Sequence, residues 1–421
     1  MAQIHKRFSD EQVRDLFKRY VGNEVQRKHL QMMLGISKSR FFKLLAAYRK
    51  GPETFSISYS RSSPNRIDPT IEKNILKELA EDKAIIINKD IPLDCYNYSF
   101  VQKRLEKKYK QAVSVSTIIN RAKKHDFYLK RKIGGTIHDR EVLTHYVGEL
   151  IQHDSSYHLW APGAKEKWWM NTSLDDHSRF LLDANLTYHE QTWPHIEALQ
   201  NIVLRHGYPY QYYVDQHSIF RFVRNRDDRY YKKGPNTDDY LPQWKQVLND
   251  CGIKVIYALS PQAKGKIERP YRWLQDHLIR ICVRENVTKI QDARKILSEE
   301  VKEYNLKRVH ATTGEIPDAR FQTALQDKRS LFREFKLPVP FKSPKDLFCF
   351  RFQRTTDAYR KVSINNIQVK VNGVDPYQLM TIRMVPLNPA VSELRFWHKD
   401  QLVDIQTFKN SDLKGVSTFQ S

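Results

Sequence analysis

The sequence predicts a multidomain protein with α-helical helix-turn-helix N-terminal domains, an α/β core and a small C-terminal β-barrel. Three observations carry this reading. The chain has 421 residues, enough for about two to four domains that each bury a core. Apolar spacing changes near Glu149 from purely helical to mixed strand and helix, and after about residue 340 to short alternating runs. The charge balance shifts as well: +13 over residues 1–150, −4 over 151–200 and +14 over 201–421.

The net charge is +23 and the sequence pI is about 9.6. Charge of that size opposes compaction unless a polyanion offsets it, so nucleic acid, and double-stranded DNA first, is the expected partner. Hydrophobic residues at 40% and aromatics at 12% exclude general disorder, while 14 Gly and 18 Pro exclude a collagen-like chain. Cys95, Cys251, Cys282 and Cys349 stand far apart without a C-x-x-C, which argues against a disulfide framework or a structural zinc. The start carries no apolar signal core, and no run reaches the roughly 18 apolar residues of a membrane span. A reducing, cytosolic compartment follows as the expectation.

Ser9 opens SDEQVRDLFKRYV, with acids in the first turn and Val13, Leu16, Phe17 and Tyr20 at helical spacing. A second helix is expected over about Val25 to Leu34. Gly35-Ile36-Ser37 then turns into a third, in which Phe41, Leu44, Leu45 and Tyr48 face inward. The pattern reads as helix-turn-helix over residues 1–50, with Lys38, Arg40 and Lys43 placed for groove contacts. A plain three-helix bundle with a solvated basic face is the alternative. Residues 51–66, rich in Ser, Pro and Gly, read as an extended linker whose Arg61 and Arg66 either enter a minor groove or belong to a mere tether. The grammar returns over 67–135: a helix from about Phe100, a turn near Ala112, then a helix capped by Ser114 or Ser116 that carries Arg121, Lys123 and Lys124.

From Glu149 the elements alternate. GELIQHDSSYHLW reads as a strand ending near Asp154, and two further strands join at Asp175-Asp176-His177-Ser178. A helix stopped by Gly207 leads to the strand YQYYVD, which delivers Asp215. A helix near Gln243 to Asp250, the strand IKVIYAL and the loop SPQAKGK follow. Next comes a long helix from about Lys266, with Pro270 expected in its first turn, where a missing N–H costs nothing.

This order, together with P-Q-x-x-G-x-x-E at Pro261, Gln262, Gly265 and Glu268, resembles the DDE transposases of the retroviral-integrase superfamily. VDQHSIFR at 214–221 points among insertion-sequence transposases to an ISNCY-like group, and KRVHATTGEIPDARF at 307–321 resembles the family's closing R-x-H-x-x-x-G-x-x-P segment. The resemblance implies an RNase H-like catalytic domain over about 145–325, with Asp154, Asp215 and Glu268 as catalytic, metal-binding carboxylates. It also implies two Mg²⁺ or Mn²⁺ ions per site and a dimer or tetramer assembled on element ends and target DNA in a bacterial cytoplasm, associated with the nucleoid. The sequence departs from the family in two respects. Gln216-His217 stand where Asn-Gly is common, and Glu268 lies 53 positions after Asp215. A charged aromatic insertion over 221–244 explains the excess length.

The chemistry accounts for three separated carboxylates. A phosphodiester is a poor electrophile; two ions about 4 Å apart can activate water and stabilise the leaving oxygen. Magnesium prefers oxygen ligands, so Asp and Glu suffice. Asp175, Asp176 and Asp183 are competing acids, the first two read as turn formers. His153 and His217 neighbour the triad, for phosphate contact or for packing. At offsets of −4 and +4 from Glu268, Lys264 and Arg272 share its helix face and are the first candidates for phosphate contact, with Lys266 and Arg269 behind them. Residues 336–344 form a Pro-rich linker, and 340–410 the expected barrel, for DNA binding, subunit bridging or stabilisation.

Overall fold

A computed structural model describes residues 4–57, 67–129, 143–215, 217–220, 241–258, 265–364 and 367–413; the side chains of 265–269 lie outside this description. Arg61, Arg66 and Lys264 are outside it, as is most of the insertion. The chain forms two units, Met1–Glu72 and Lys73–Ser421.

The first unit holds α1 (Asp10–Val21), α2 (Arg27–Leu34) and α3 (Lys38–Lys50). Ser9 and Gln12 form a reciprocal capping box on α1. Gly35 takes the left-handed conformation, φ 65°, that ends α2, and the Ser37 hydroxyl accepts from the Arg40 N–H to start α3. Val13, Phe17, Leu30, Leu34, Phe41 and Leu45 make the core, and Phe55 and Ile57 fill it from beyond α3. Asp10 Oδ1 accepts the Ile57 N–H at 2.7 Å. Residues 51–57, read as the start of a linker, therefore pack against the bundle.

The division falls within α4 (Pro69–Ile87), and the second unit continues with α5 (Tyr98–Tyr109) and α6 (Val115–Lys124). Asn97 caps α5 and Ser114 caps α6. A five-stranded mixed sheet follows, in the order β3-β2-β1-β4-β5. Its strands are β1 (Leu150–His158), β2 (Trp168–Asp175), β3 (Leu181–Thr187), β4 (Gln211–Val214) and β5 (Lys254–Tyr257). β1, β2 and β3 pair antiparallel, whereas β4 runs parallel to both β1 and β5. β1 continues to His158 because its pairing with β2 does, so Asp154 lies in mid-strand rather than at its end.

Helices cover both faces. α7 (Thr192–His206) and α8 (Gln243–Asp250) pack Ile196, Leu199 and Trp244 with Ile151, Tyr212 and Val214. On the other face lie α9 (Gly265–Arg284) and α10 (Ile290–Lys307). Tyr271, Leu274, Leu278 and Cys282 of α9 join Trp168, Met170 and Leu174 of β2 there. Because α9 begins at Gly265, Pro270 falls in its second turn, where it removes the N–H that would bond back to Lys266.

After α11 (Pro317–Gln326) and the single turn α12 (Pro344–Leu347) come β6 (Phe350–Thr355), β7 (Lys361–Ile364), β8 (Ile367–Lys370), β9 (Leu379–Asn388), β10 (Val391–His398) and β11 (Gln401–Lys409). They form an antiparallel sheet ordered β11-β10-β9-β6 and a separate ribbon β7-β8. The expected barrel is not closed among the described residues: β6 and β11 are the two edges of an open sheet. Its apolar face is covered instead by the ribbon, as Val362, Ile364 and Val369 join Ile382, Met384, Leu394 and Phe396. This core runs on into that of the mixed sheet, where Trp193 meets Phe350 at 5.7 Å between ring centroids.

Candidate active site

β1 and β4 bring the two aspartates together. Leu150, Ile151 and Gln152 stand level with Gln211, Tyr212 and Tyr213. Continued two residues past this last pair, the register sets Asp154 level with Asp215, which directly follows β4. Alternation assigns Leu150, Gln152 and Asp154 to one face of the sheet with Tyr213 and Asp215. Thr172 and Met170 of β2, opposite Asp154 and Ser156, share that face, and Met170 packs against α9. Both aspartates are half-buried. Asp215 Oδ1 accepts the His217 N–H at 3.0 Å, an Asx turn that bends the chain away just past the strand.

The third carboxylate stands on the helix that crosses this face. Glu268 is in the first turn of α9, three residues before Tyr271; its side chain is outside the described residues. The fully buried Tyr271 hydroxyl donates to the main-chain oxygen of Asp154 at 2.6 Å and lies 3.2 Å from that of Met170. Burial pushes this phenol well above its ordinary pKa, and the Asp154 and Glu190 carboxylates push it further, so it remains a donor. Among the described residues, no three His, Cys, Asp or Glu side chains form a cluster able to hold a metal ion. The oxygen-only set of Asp154, Asp215 and Glu268 suits a hard divalent cation.

Glu190 is a residue that sequence reasoning missed. It precedes α7, accepts from the Ser155 hydroxyl at 2.5 Å, and stands 3.5 Å from His217 Nε2. The carboxylate thus spans the neighbour of Asp154 and the loop after Asp215. Nothing in the local sequence signals this, because the contacts cross between β1, the start of α7 and the end of β4.

His153 points the other way. Its Nδ1 meets Ser173 Oγ and its Nε2 meets His195 Nδ1, both at 2.8 Å, and its ring stacks on Trp244 in the core. The competing acids are likewise structural. Asp175 accepts from the Gly148 and Ser178 N–H groups and the Ser178 hydroxyl, and Asp176 holds Gln152, Thr144 and Arg179. Asp183 accepts from Asn201 on α7.

Of the basic residues singled out, Arg272 is exposed on α9, and Lys266 and Arg269 lie on its first turns with side chains outside the description. Lys38, Arg40 and Lys43 are exposed along one stretch of α3 in the first unit. In the second, Lys123 and Lys124 are exposed at the end of α6 and Arg121 is half-buried.

The far end of α9 is locked to α4. Arg280 and Asp82, both fully buried, meet at 2.7 Å. Arg284 reaches Glu78 at 2.5 Å, Glu81 at 2.6 Å and Asp82 at 3.1 Å. Lys103 of α5 meets Glu300 of α10 at 2.7 Å. Burial alone would push Glu78 up, but Arg284, Arg104 and Lys108 together hold it below its ordinary value. Among the described residues, no helix is long and apolar enough to cross a membrane.

No family model matches the chain. It is 30% identical over 178 residues to the Sinorhizobium fredii protein y4bF, which bears a provisional transposase name, covering 42% of this chain and 37% of that one. It is 25% identical over 310 residues to the transposase for insertion sequence IS1202 of Streptococcus pneumoniae, covering 66% and 64%. The matched stretches thus span less than two thirds of the relatives' own lengths. Among solved structures, it is similar to a chain of a simian T-cell lymphotropic virus intasome bound to a PP2A regulatory subunit, at 12% identity and TM-score 0.32 over 72% of this chain and 93% of that one. The magnesium-bound HTLV-2 integrase catalytic core gives 13% identity and TM-score 0.32 over 42% and 97%. Likeness at that level bears no weight on fold or chemistry. The two sequence matches make the chain a relative of insertion-sequence transposases.

Proposed function

We propose that this chain, a relative of insertion-sequence transposases, cuts the ends of a mobile element and joins the freed 3′-hydroxyl to target DNA. The observation that carries this is the parallel register of β1 and β4, which continued two residues past Gln152 and Tyr213 sets Asp154 level with Asp215, on the face crossed by the helix of Glu268.

Asp154 would hold both of two magnesium or manganese ions, with Asp215 and Glu268 each holding one. When bound, such ions activate water near neutral pH and stabilise the leaving oxygen. Tyr271 keeps the first turns of α9 against β1, and the Asx turn at Asp215 holds that carboxylate at the strand end. Lys264, Lys266, Arg269 and Arg272 would contact phosphates near the reactive end. Lys38, Arg40 and Lys43 of α3, Arg121, Lys123 and Lys124 of α6, and Arg61 and Arg66 would also grip the element end. A dimer or tetramer would bring two ends together.

The test is end cleavage and strand transfer on labelled element-end DNA with Mg²⁺. Asp154→Asn, Asp215→Asn and Glu268→Gln are each expected to abolish both steps while DNA binding persists. Cleavage retained in any one variant removes that residue from the site.

A further inference from the structure

On the face of β1 opposite Asp154, Tyr157 and its cross-strand partner Trp169 stack at 4.8 Å between ring centroids, 25° from parallel. Tyr157 is 52% exposed and Trp169 half-buried. The exposed ammonium of Lys167 lies 5.6 Å from the Tyr157 ring. Cross-strand aromatic pairing alone accounts for a small gain in hairpin stability. It does not account for a half-exposed tyrosine with a cation over its ring in a chain of net charge +23.

Position supplies the rest. Tyr157 is two residues along the same strand face from Ser155, whose hydroxyl bonds Glu190, and Glu190 faces His217, two residues past Asp215. The aromatic pair thus lies along β1 from Ser155, which shares the Glu190 carboxylate with His217. Among the described residues, the pairing of β1 with β4 ends at Gln152.

We propose that Tyr157 and Trp169 form a stacking platform for an unpaired nucleotide of DNA flanking the cleavage point, with Lys167 on its phosphate; this rests on the DNA-cutting reading above. A duplex hides its base faces within the stack, whereas a frayed or single-stranded base offers one to an aromatic ring, and such stacking is sequence-tolerant.

The test uses the full chain in EDTA, so that binding is read without cleavage. Fluorescence anisotropy compares a blunt duplex, the same duplex with a short single-stranded thymidine tail, and one whose tail is abasic. Wild type is expected to favour the thymidine tail by about fivefold or more over both others. Tyr157→Ala should lose that preference with blunt-duplex affinity unchanged, and Tyr157→Phe should keep it. Equal binding of tailed and blunt duplexes by wild type, or a preference surviving in Tyr157→Ala, overturns the platform. Neither result touches the carboxylate site, which fails only if its own variants still cut.

Discussion

The hydroxyl of Tyr271 donates to the main-chain oxygen of Asp154 at 2.6 Å, fastening α9 to β1 one turn after Glu268. This contact ties the helix of one carboxylate to the strand of another.

Tyr271→Phe keeps the ring in its apolar cluster and removes only this donor. A stability loss of about 1–2 kcal/mol is expected from two strand carbonyls losing a partner. End cleavage should fall about tenfold or more, since small displacements of reacting groups cost disproportionately in rate. Denaturant unfolding alongside cleavage kinetics checks this; unchanged cleavage at reduced stability would assign Tyr271 to packing alone.

Glu190 spans Ser155 and His217 and so braces both aspartate-bearing segments. Glu190→Ala should raise the Mg²⁺ concentration needed for half-maximal cleavage, whereas Glu190→Gln, which retains an acceptor for Ser155, should stay closer to wild type. Magnesium titrations of both variants decide it, and identical curves for all three proteins would count against the brace.

The lock between α4 and α9 gives a stability prediction. Arg284→Ala leaves Glu78 and Asp82 short of a buried partner and should destabilise the second unit by about 3–5 kcal/mol. Replacing Glu78 and Arg284 together with Leu and Met should recover most of the loss, because the desolvation of both charges is then avoided. Thermal melts of the single and double variants measure it.

Titration of Asp183 gives a sign. Burial between β3 and α7 pushes this carboxyl up to about 6 from 3.8. A folded pKa above the unfolded one means that the protonated group favours folding: its contribution is complete below about pH 4 and is lost as pH rises through 6. Asp183→Asn cannot ionise, so its melting temperature relative to wild type should rise between pH 4.5 and pH 7.5. A difference that stays constant with pH would contradict this.

Much of the architecture was legible because its signals are local. Ser9 and Ser37 cap the helices they were expected to open, Ser114 rather than Ser116 caps α6, and the hairpin at Asp175 to Ser178 and the strand end at Asp215 follow from turn chemistry and alternation. What escaped depends on which distant segments meet. Alternating runs announced strands after residue 340 but not that β6 and β11 would remain edges. Arg280 and Arg284, charged positions on a long helix, carry no local signal that α4 buries them both. Glu190 carried no motif at all.

The central claim is that Asp154, Asp215 and Glu268 share one metal site. Anomalous diffraction from Mn²⁺-soaked crystals of the full chain tests it most directly. Two anomalous peaks about 4 Å apart, with Asp154 oxygens on both and Asp215 and Glu268 on one each, are the expected result. Mn²⁺ bound elsewhere, or the Glu268 carboxylate turned away from the two aspartates at saturating metal, would contradict it.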